Sequence, residues 1–206
     1  MNETYDYLTI RVAPGAVPTV RAHLTTDGRA RAEAASGVAV GVWVGGAGIG
    51  WATDELVVMV GWPDRPGDAA TVFAGAPGVA AVEAERLSAT ARPDAPSVLR
   101  PGGVVAHRWF ELDPDDWDEF LELSEQAWPT FESLYETEIL GLFRADAPAG
   151  TARALLLTRY SSLAEWERSR QATAATEGEG ADAGRRFLRR RQLTRRSIVR
   201  VAPLAG

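Results

Sequence analysis

Residues 106–115 (Ala-His-Arg-Trp-Phe-Glu-Leu-Asp-Pro-Asp) follow a pattern that also occupies residues 7–15 (Tyr-Leu-Thr-Ile-Arg-Val-Ala-Pro-Gly). Each stretch is a short run of β-forming residues that ends at a proline. Proline fits the first turn of a helix, because that turn needs no amide donor at this position. Both stretches therefore predict a strand followed directly by a helix.

The helix signal is stronger in the second stretch. Asp113 is the predicted N-cap, Pro114 begins the helix, and the aspartates that follow place negative charge at the positive end of the helix dipole. Large apolar residues then recur at helical spacing over residues 117–134. Because this spacing continues beyond Pro129, we expect that proline to kink the helix without ending it.

The segments that follow have the same order in both copies. In the first copy they are strands at 38–44 and 55–62, a short helix near 68–74 and a strand at 82–91. In the second they are strands at 138–144 and 153–160, a helix that begins with the capping box 162–165, and a strand at 197–202. The order strand, helix, strand, strand, helix, strand is the ferredoxin-like arrangement.

We therefore predict an α+β fold of two tandem ferredoxin-like units, residues 1–94 and 104–206, joined by a proline- and glycine-containing linker at 95–103. Helices cover only one face of such a sheet. The predicted strand 38–44 nevertheless carries apolar residues on both faces, with Trp43 on one and, on the other, Val38, Val40, Val42 and Val44.

Two solutions would bury the second apolar face. The two antiparallel sheets can pair into one α/β barrel, or two identical chains can pair sheet to sheet as a homodimer. Tandem copies favour the intramolecular barrel, because the linker holds each sheet at a high effective concentration near the other.

The second copy resembles a NIPSNAP domain, a member of the dimeric α/β-barrel group. The resemblance rests on residues 108–114, 127–129, 139–144, 157–167 and 185–200, and it spans nearly all of residues 104–204. The first copy matches less well, since it lacks the aromatic helix and has Leu8 where the second has Arg108. The resemblance implies a barrel interior and no particular activity. Relatives in the wider group include cofactor-independent monooxygenases and haem enzymes.

Strand alternation predicts which side chains enter the barrel interior. Ile10, Val12, Phe110 and Leu112 form apolar faces suited to the helices, and the opposite faces point inwards. A concave apolar site with a few convergent polar groups is the default ligand site. The predicted ligand-binding residues are Tyr7, Thr9, Trp43, Trp62, His107, Trp109 and Glu111, with Arg108 and Arg159 either contacting a ligand anion or forming buried ion pairs.

His107 is the predicted catalytic residue if the protein is an enzyme. It would act as a general base or as a donor that orients a ligand, with Glu111 farther along the same face. The alternative, which we favour, is a packed histidine whose hydrogen bond goes to a neighbouring carboxylate.

Composition excludes several kinds of chemistry. The chain has no cysteine, and its 22 basic residues are all arginine. This removes thiolate nucleophiles, disulfides, cysteine metal sites and lysine Schiff bases. With two histidines and no metal-ligand spacing, neither a metal nor a cofactor is predicted. The chain shows no signal-peptide pattern and no apolar run of about 20 residues, so we expect a cytoplasmic protein with no membrane contact.

Eight arginines and no acid lie between Arg185 and Arg200. We predict that they form the solvated face of the last helix and pair with the acidic helix at 115–125. Binding to nucleic acid is not expected, because the chain has a net charge of −6 and no recognition motif. The polar residues 171–184 are predicted to form a mobile insertion, partly helical.

The leading functional hypothesis is a NIPSNAP-like barrel protein that binds a small apolar or aromatic molecule, or a protein partner, in or around the barrel. The alternative is an enzyme of the cofactor-independent monooxygenase type, acting on a bulky aromatic substrate in the lumen.

Overall fold

The chain forms strands and helices over residues 3–64, 66–172 and 181–205, which are the residues described by the computed structural model. The strands are β1 (Thr4–Val12), β2 (Val38–Val44), β3 (Glu55–Trp62), β4 (Val79–Ala89), β5 (Val104–Leu112), β6 (Thr137–Ala145), β7 (Ala152–Tyr160) and β8 (Thr194–Pro203). The helices are α1 (Val17–His23), α2 (Arg29–Ala34), α3 (Ala69–Ala74), α4 (Trp117–Leu134), α5 (Leu163–Ala172) and α6 (Ala181–Leu193).

These strands form one antiparallel sheet in the order β2-β3-β1-β4-β6-β7-β5-β8. Each half of the chain contributes four neighbouring strands, and both halves have the order second, third, first, fourth. The halves join where Leu87–Ala89 of β4 pairs with Phe143–Ala145 of β6. The protein thus has the predicted α+β ferredoxin-like fold, with a single eight-stranded sheet.

The two outer strands of this sheet, β2 and β8, each also contact a residue that follows the other. Isolated bridges join Trp43 to Leu204 and Ile49 to Val201. In the second bridge the Ile49 amide donates to the Val201 carbonyl at 2.7 Å, and the Val201 amide donates back at 3.0 Å. The loop between β2 and β3 is therefore held against β8.

Bulges interrupt β2 and β6 at equivalent places. The register against the neighbouring strand shifts between Ala39 and Gly41, and again between Ile139 and Gly141. A bulge reverses the alternation of side chains between the two faces. Val40 therefore lies on the same face as Trp43, and the prediction that they lie on opposite faces was wrong.

Apolar side chains pack on both faces of the sheet. On the first face, one cluster draws on both halves of the chain, and we call it the shared cluster. It contains Tyr5, Tyr7, Val40, Trp43, Val57, Met59, Leu87, Ala89, Val105, Phe143, Ala145, Leu155, Leu157 and Ala202. On the other face, Ile10 and Val12 pack with α1 and α3, while Phe110 and Leu112 pack with α4, as predicted.

Local signals placed the helices of the second half correctly. The Asp113 carboxylate accepts from the Asp115 amide at 3.3 Å, and α4 continues past Pro129 to Leu134. In the first half, the prediction that Pro14 begins a helix was wrong. There α1 begins at Val17, with Pro18 in its first turn.

The predicted insertion at 171–184 overlaps the ends of α5 and α6, and its central part, residues 173–180, lies outside the described residues. Among the helices that are described, none is long and apolar enough to cross a membrane.

Candidate functional site

His107 lies in the middle of β5 and is completely buried. Strand β5 runs between β7 and β8, where His107 is paired with Leu157 and Arg200. Alternation along β5 directs Val105, His107 and Trp109 towards the shared cluster, and Phe110 towards the helices. The histidine is therefore held in position by backbone pairing on both sides.

Tyr7 of β1 is the hydrogen-bond partner of His107. Its hydroxyl lies 3.0 Å from Nδ1, and the two residues are 100 positions apart, in the first strands of the two halves. Burial raises the pKa of Tyr7 well above its usual value, so the hydroxyl keeps its proton and can donate it to Nδ1. The histidine thus pairs with a tyrosine hydroxyl from the other half, and not with the carboxylate that we favoured from the sequence.

Three indole rings surround this pair. The Trp43 and Trp51 rings stand nearly perpendicular to the imidazole, with centroid distances of 4.7 and 5.4 Å. Trp109 makes a similar contact with Tyr7 at 5.5 Å. Edge-to-face packing of this kind is the preferred geometry of aromatic pairs, so the rings fix one another's orientation.

Trp51 was not among the predicted residues. It lies in the loop between β2 and β3, where strand alternation makes no prediction, and the bridge from Ile49 to Val201 brings this loop over β8. The Arg200 guanidinium lies 4.9 Å from the centre of the Trp51 ring, which adds a cation–π contact.

Burial keeps His107 neutral. Desolvation, together with the nearby Arg200 guanidinium, lowers the pKa of His107 to about 3. When the Tyr7 hydroxyl donates to Nδ1, the single imidazole proton lies on Nε2. His107 is then a hydrogen-bond donor at Nε2 and not a proton acceptor there.

Several polar atoms in this aromatic set have no hydrogen-bond partner among the described residues. They are Nε2 of His107, Nε1 of Trp43, Nε1 of Trp51 and the hydroxyl of Tyr5. Buried polar groups are nearly always paired, because an unpaired one loses its hydration without compensation. The set can therefore donate to an acceptor atom, such as a ligand oxygen.

The other predicted ligand-binding residues do not all lie on the face of the sheet that carries His107. Thr9 is on the same strand as Tyr7, two positions along, and is half-buried. Trp62 lies on the helix-facing side with Val58 and Val60, where its indole donates to the Asp6 carboxylate at 3.0 Å. The structure separates it from Trp43 and Trp109, because even-numbered positions of β3 face the helices.

The charged residues among the predicted ligand-binding residues also lie away from His107. The nearest arginine to Glu111 is Arg196, at 3.6 Å, and Arg159 forms an ion pair with Glu138 at 3.0 Å. Arg108 follows His107 in the strand and so faces the helix side. None of these three charges is brought to His107, and no group of three or more His, Asp or Glu residues in the described part of the chain could hold a metal ion.

Replacing Tyr7 with phenylalanine is expected to destabilise the protein by about 1–2 kcal/mol, because it leaves Nδ1 of His107 buried without its partner. The measurement is urea denaturation at neutral pH. Tyr5→Phe is the matched control: Tyr5 is equally buried on the same strand, but its hydroxyl has no partner to lose. Equal losses in the two variants would contradict a structural role for the Tyr7–His107 bond.

Comparison with known proteins shows that the fold is shared with solved structures, but it does not assign the chain to a family. No protein-family model and no curated protein matches the chain. Among solved structures, a candidate monooxygenase from Fusobacterium nucleatum matches with a TM-score of 0.63 and 10% identity, covering 100% of this chain and 93% of that one. An anthrone oxidase-like protein matches with a TM-score of 0.61 and 12% identity, covering 100% and 92%.

A NIPSNAP family protein from Agrobacterium tumefaciens is also similar. It covers 52% of this chain and 90% of its own, with 18% identity and a TM-score of 0.39. At that score it carries no argument about family, and the NIPSNAP resemblance stays a prediction.

Proposed function

We propose that this protein binds a small, flat aromatic compound that carries a carbonyl or hydroxyl oxygen, and that the ligand lies against His107 in the shared cluster. The observation that carries the proposal is the group of unpartnered N–H donors on His107, Trp43 and Trp51. An oxygen acceptor on an aromatic frame would satisfy these donors and stack against the indole rings.

The proposal takes residues 1–94 and 104–206 as two copies of one unit whose strands close into a barrel around the shared cluster. Three observations support it: the common strand order of the two halves, the bridges that join β2 and the loop after it to Leu204 and β8, and the equivalent positions of Tyr7 and His107. The ligand would then contact both copies.

Binding is favoured over catalysis by the state of His107. A general base works best when its pKa lies near the working pH. The pKa of His107 is lowered to about 3, which makes the imidazole a weak base in the folded protein. A neutral N–H donor suits recognition of an oxygen atom better than it suits proton abstraction.

Menadione, an aromatic diketone, is a suitable probe, with naphthalene as the analogue that lacks oxygen. A protein without cysteine or lysine offers menadione few nucleophiles, so reversible binding can be measured by calorimetry. We expect His107→Leu to weaken menadione binding about tenfold, as the loss of one buried hydrogen bond would predict. His23→Leu, at the other histidine, should leave it unchanged.

Two results would contradict the binding proposal. One is equal affinity for menadione and naphthalene, which would mean that the N–H donors take no part. The other is an equal loss in the His107 and His23 variants.

The second candidate is oxidation of a bulky aromatic substrate by dioxygen without a cofactor, with His107 as the base. It requires the other tautomer of His107, in which Nδ1 donates to the Tyr7 hydroxyl oxygen and Nε2 is free to accept a proton, and the anthrone oxidase-like neighbour favours it. Anthrone and dioxygen would give anthraquinone and water, so oxygen uptake measures the reaction directly. Uptake that is equal in the wild type and in His107→Gln would remove this candidate.

A further inference from the structure

A cavity of about 440 Å³ lies on the opposite side of the sheet from His107, between the second half of the sheet and helices α4, α5 and α6. Strands β5, β7 and β8 form its floor. Its walls combine polar side chains with aromatic and aliphatic ones, and the latter include Phe110, Trp128, Phe131, Ile139, Leu156 and Phe187.

Four arginines also line this cavity: Arg108, Arg170, Arg190 and Arg191. No aspartate or glutamate is among its described lining residues. Neighbouring arginines of α6 and β8 are placed differently: Arg189 forms a two-pronged ion pair with Glu119 at 2.6 and 2.8 Å, and Arg195 pairs with Asp113. The predicted pairing with the acidic helix is confirmed for Arg189 and does not extend to the cavity.

Arg190 is buried, with 9% of its surface exposed. One of its nitrogens donates to the Ser124 hydroxyl at 3.0 Å. The guanidinium also lies over the rings of Phe110, Phe120 and Phe187, at 5.0–5.4 Å from their centres. These contacts hold the side chain in place but supply no negative charge.

Arg108 makes no hydrogen bond or ion pair with any residue in the described part of the chain. Burial, and after it the positive charge of the nearby Arg108, lowers the pKa of Arg190 to about 9. The pKa of Arg108 is lowered too, by burial first and then by Arg170 and Arg191. Arg190 is buried and Arg108 is partly buried, and holding both charges with reduced hydration and no acidic partner among the described lining residues is costly. An anion in the cavity would compensate for that cost.

We propose that this cavity binds an amphipathic anion, in which a carboxylate or similar group pairs with Arg108 and Arg190 and an apolar body packs against the aromatic walls. Planar guanidinium groups pair well with carboxylates, through two parallel hydrogen bonds. The buried Nε1 of Trp128 has no partner among the described residues and offers one more donor at the wall. The site lies on the face of the sheet that Phe110 shares with Arg108, and it is separate from the site at His107.

The probe is 2-naphthoate, and its neutral analogue is 2-naphthamide, which has the same shape without the charge. We expect calorimetry to show binding of 2-naphthoate that weakens with added salt, with at least tenfold weaker binding of the amide. Arg108→Gln should reduce the affinity for 2-naphthoate about tenfold or more, because it removes a charge-assisted pair. Arg108→Lys, which keeps the charge, should retain more of the affinity than Arg108→Gln does.

Arg186→Gln is the matched control. Arg186 lies on the same helix as Arg190 but outside the cavity, where it donates to the Gln126 side chain at 3.1 Å. This variant should bind 2-naphthoate like the wild type. Arg108→Gln should also fold at least as stably as the wild type without ligand, since it relieves the repulsion between Arg108 and the buried Arg190.

The proposal is overturned if 2-naphthoate does not bind, if 2-naphthoate and 2-naphthamide bind equally, or if Arg108→Gln leaves the affinity unchanged. His107→Leu should not alter 2-naphthoate binding, and Arg108→Gln should not alter menadione binding. Loss of one ligand therefore leaves the other site intact, and the two proposals can fail separately.

Discussion

Replacing Gly48 with alanine is expected to destabilise the protein by about 3 kcal/mol, although Gly48 lies in a surface loop. A methyl group at this position would overlap the Val201 carbonyl oxygen of β8 and press on the Ala202 backbone, 3.0 Å away. Neither neighbour is a flexible side chain, so the loop must move away from the strand. Overpacking of this kind costs about 1–3 kcal/mol, and the two Ile49–Val201 hydrogen bonds contribute about 1 kcal/mol each.

Gly75→Ala is the matched control for this substitution. Gly75 follows α3 with φ of −89°, which any residue can adopt, and a methyl group there would meet nothing within 4 Å. Its stability should stay within about 0.5 kcal/mol of the wild type. Urea denaturation of both variants tests whether the contact between the β2–β3 loop and β8 supports the fold. A Gly48→Ala protein as stable as Gly75→Ala would show that it does not.

The sequence predicted strands well where alternation and turn residues agree. Strands β2 and β3 begin and end at the predicted residues, since the glycine-rich segment between them gives a clear boundary. Tyr7 and His107 were placed correctly on one face, because no bulge separates them from Ile10 or Phe110 within their strands. Local rules were enough for these features.

Other features depend on contacts that no local pattern encodes. The bulge before Gly41 moved Val40 to the face of Trp43, and a glycine among valines gives little warning of that shift. Trp51 reaches His107 only because its loop is held against β8. Arg108 and Arg190 are far apart in the sequence, and only the packing of α6 on the sheet brings both into one cavity.

Acid should destabilise this protein through His107 by a large and specific amount. The pKa of a histidine side chain is about 6.5 in an unfolded chain, and burial lowers it to about 3 in the folded protein. Between these values the unfolded state binds one more proton than the folded state, so the free energy of unfolding falls as the pH falls. From pH 8 to pH 4.5 the loss through this one group is about 2.7 kcal/mol, and it stops growing below about pH 3.

The variant His107→Gln isolates this contribution, because glutamine keeps a polar group beside Tyr7 but does not titrate. The variant is expected to be less stable than the wild type at pH 8, yet to lose about 2.7 kcal/mol less between pH 8 and pH 4.5 in urea denaturation. Carboxylates titrate in both proteins, so their contribution to the loss in free energy of unfolding cancels when the two proteins are compared. Tyr7→Phe leaves the buried imidazole in place and should retain the acid sensitivity of the wild type. If His107→Gln lost as much stability in acid as the wild type, His107 would already be solvated, and the dry aromatic environment inferred for it would be wrong.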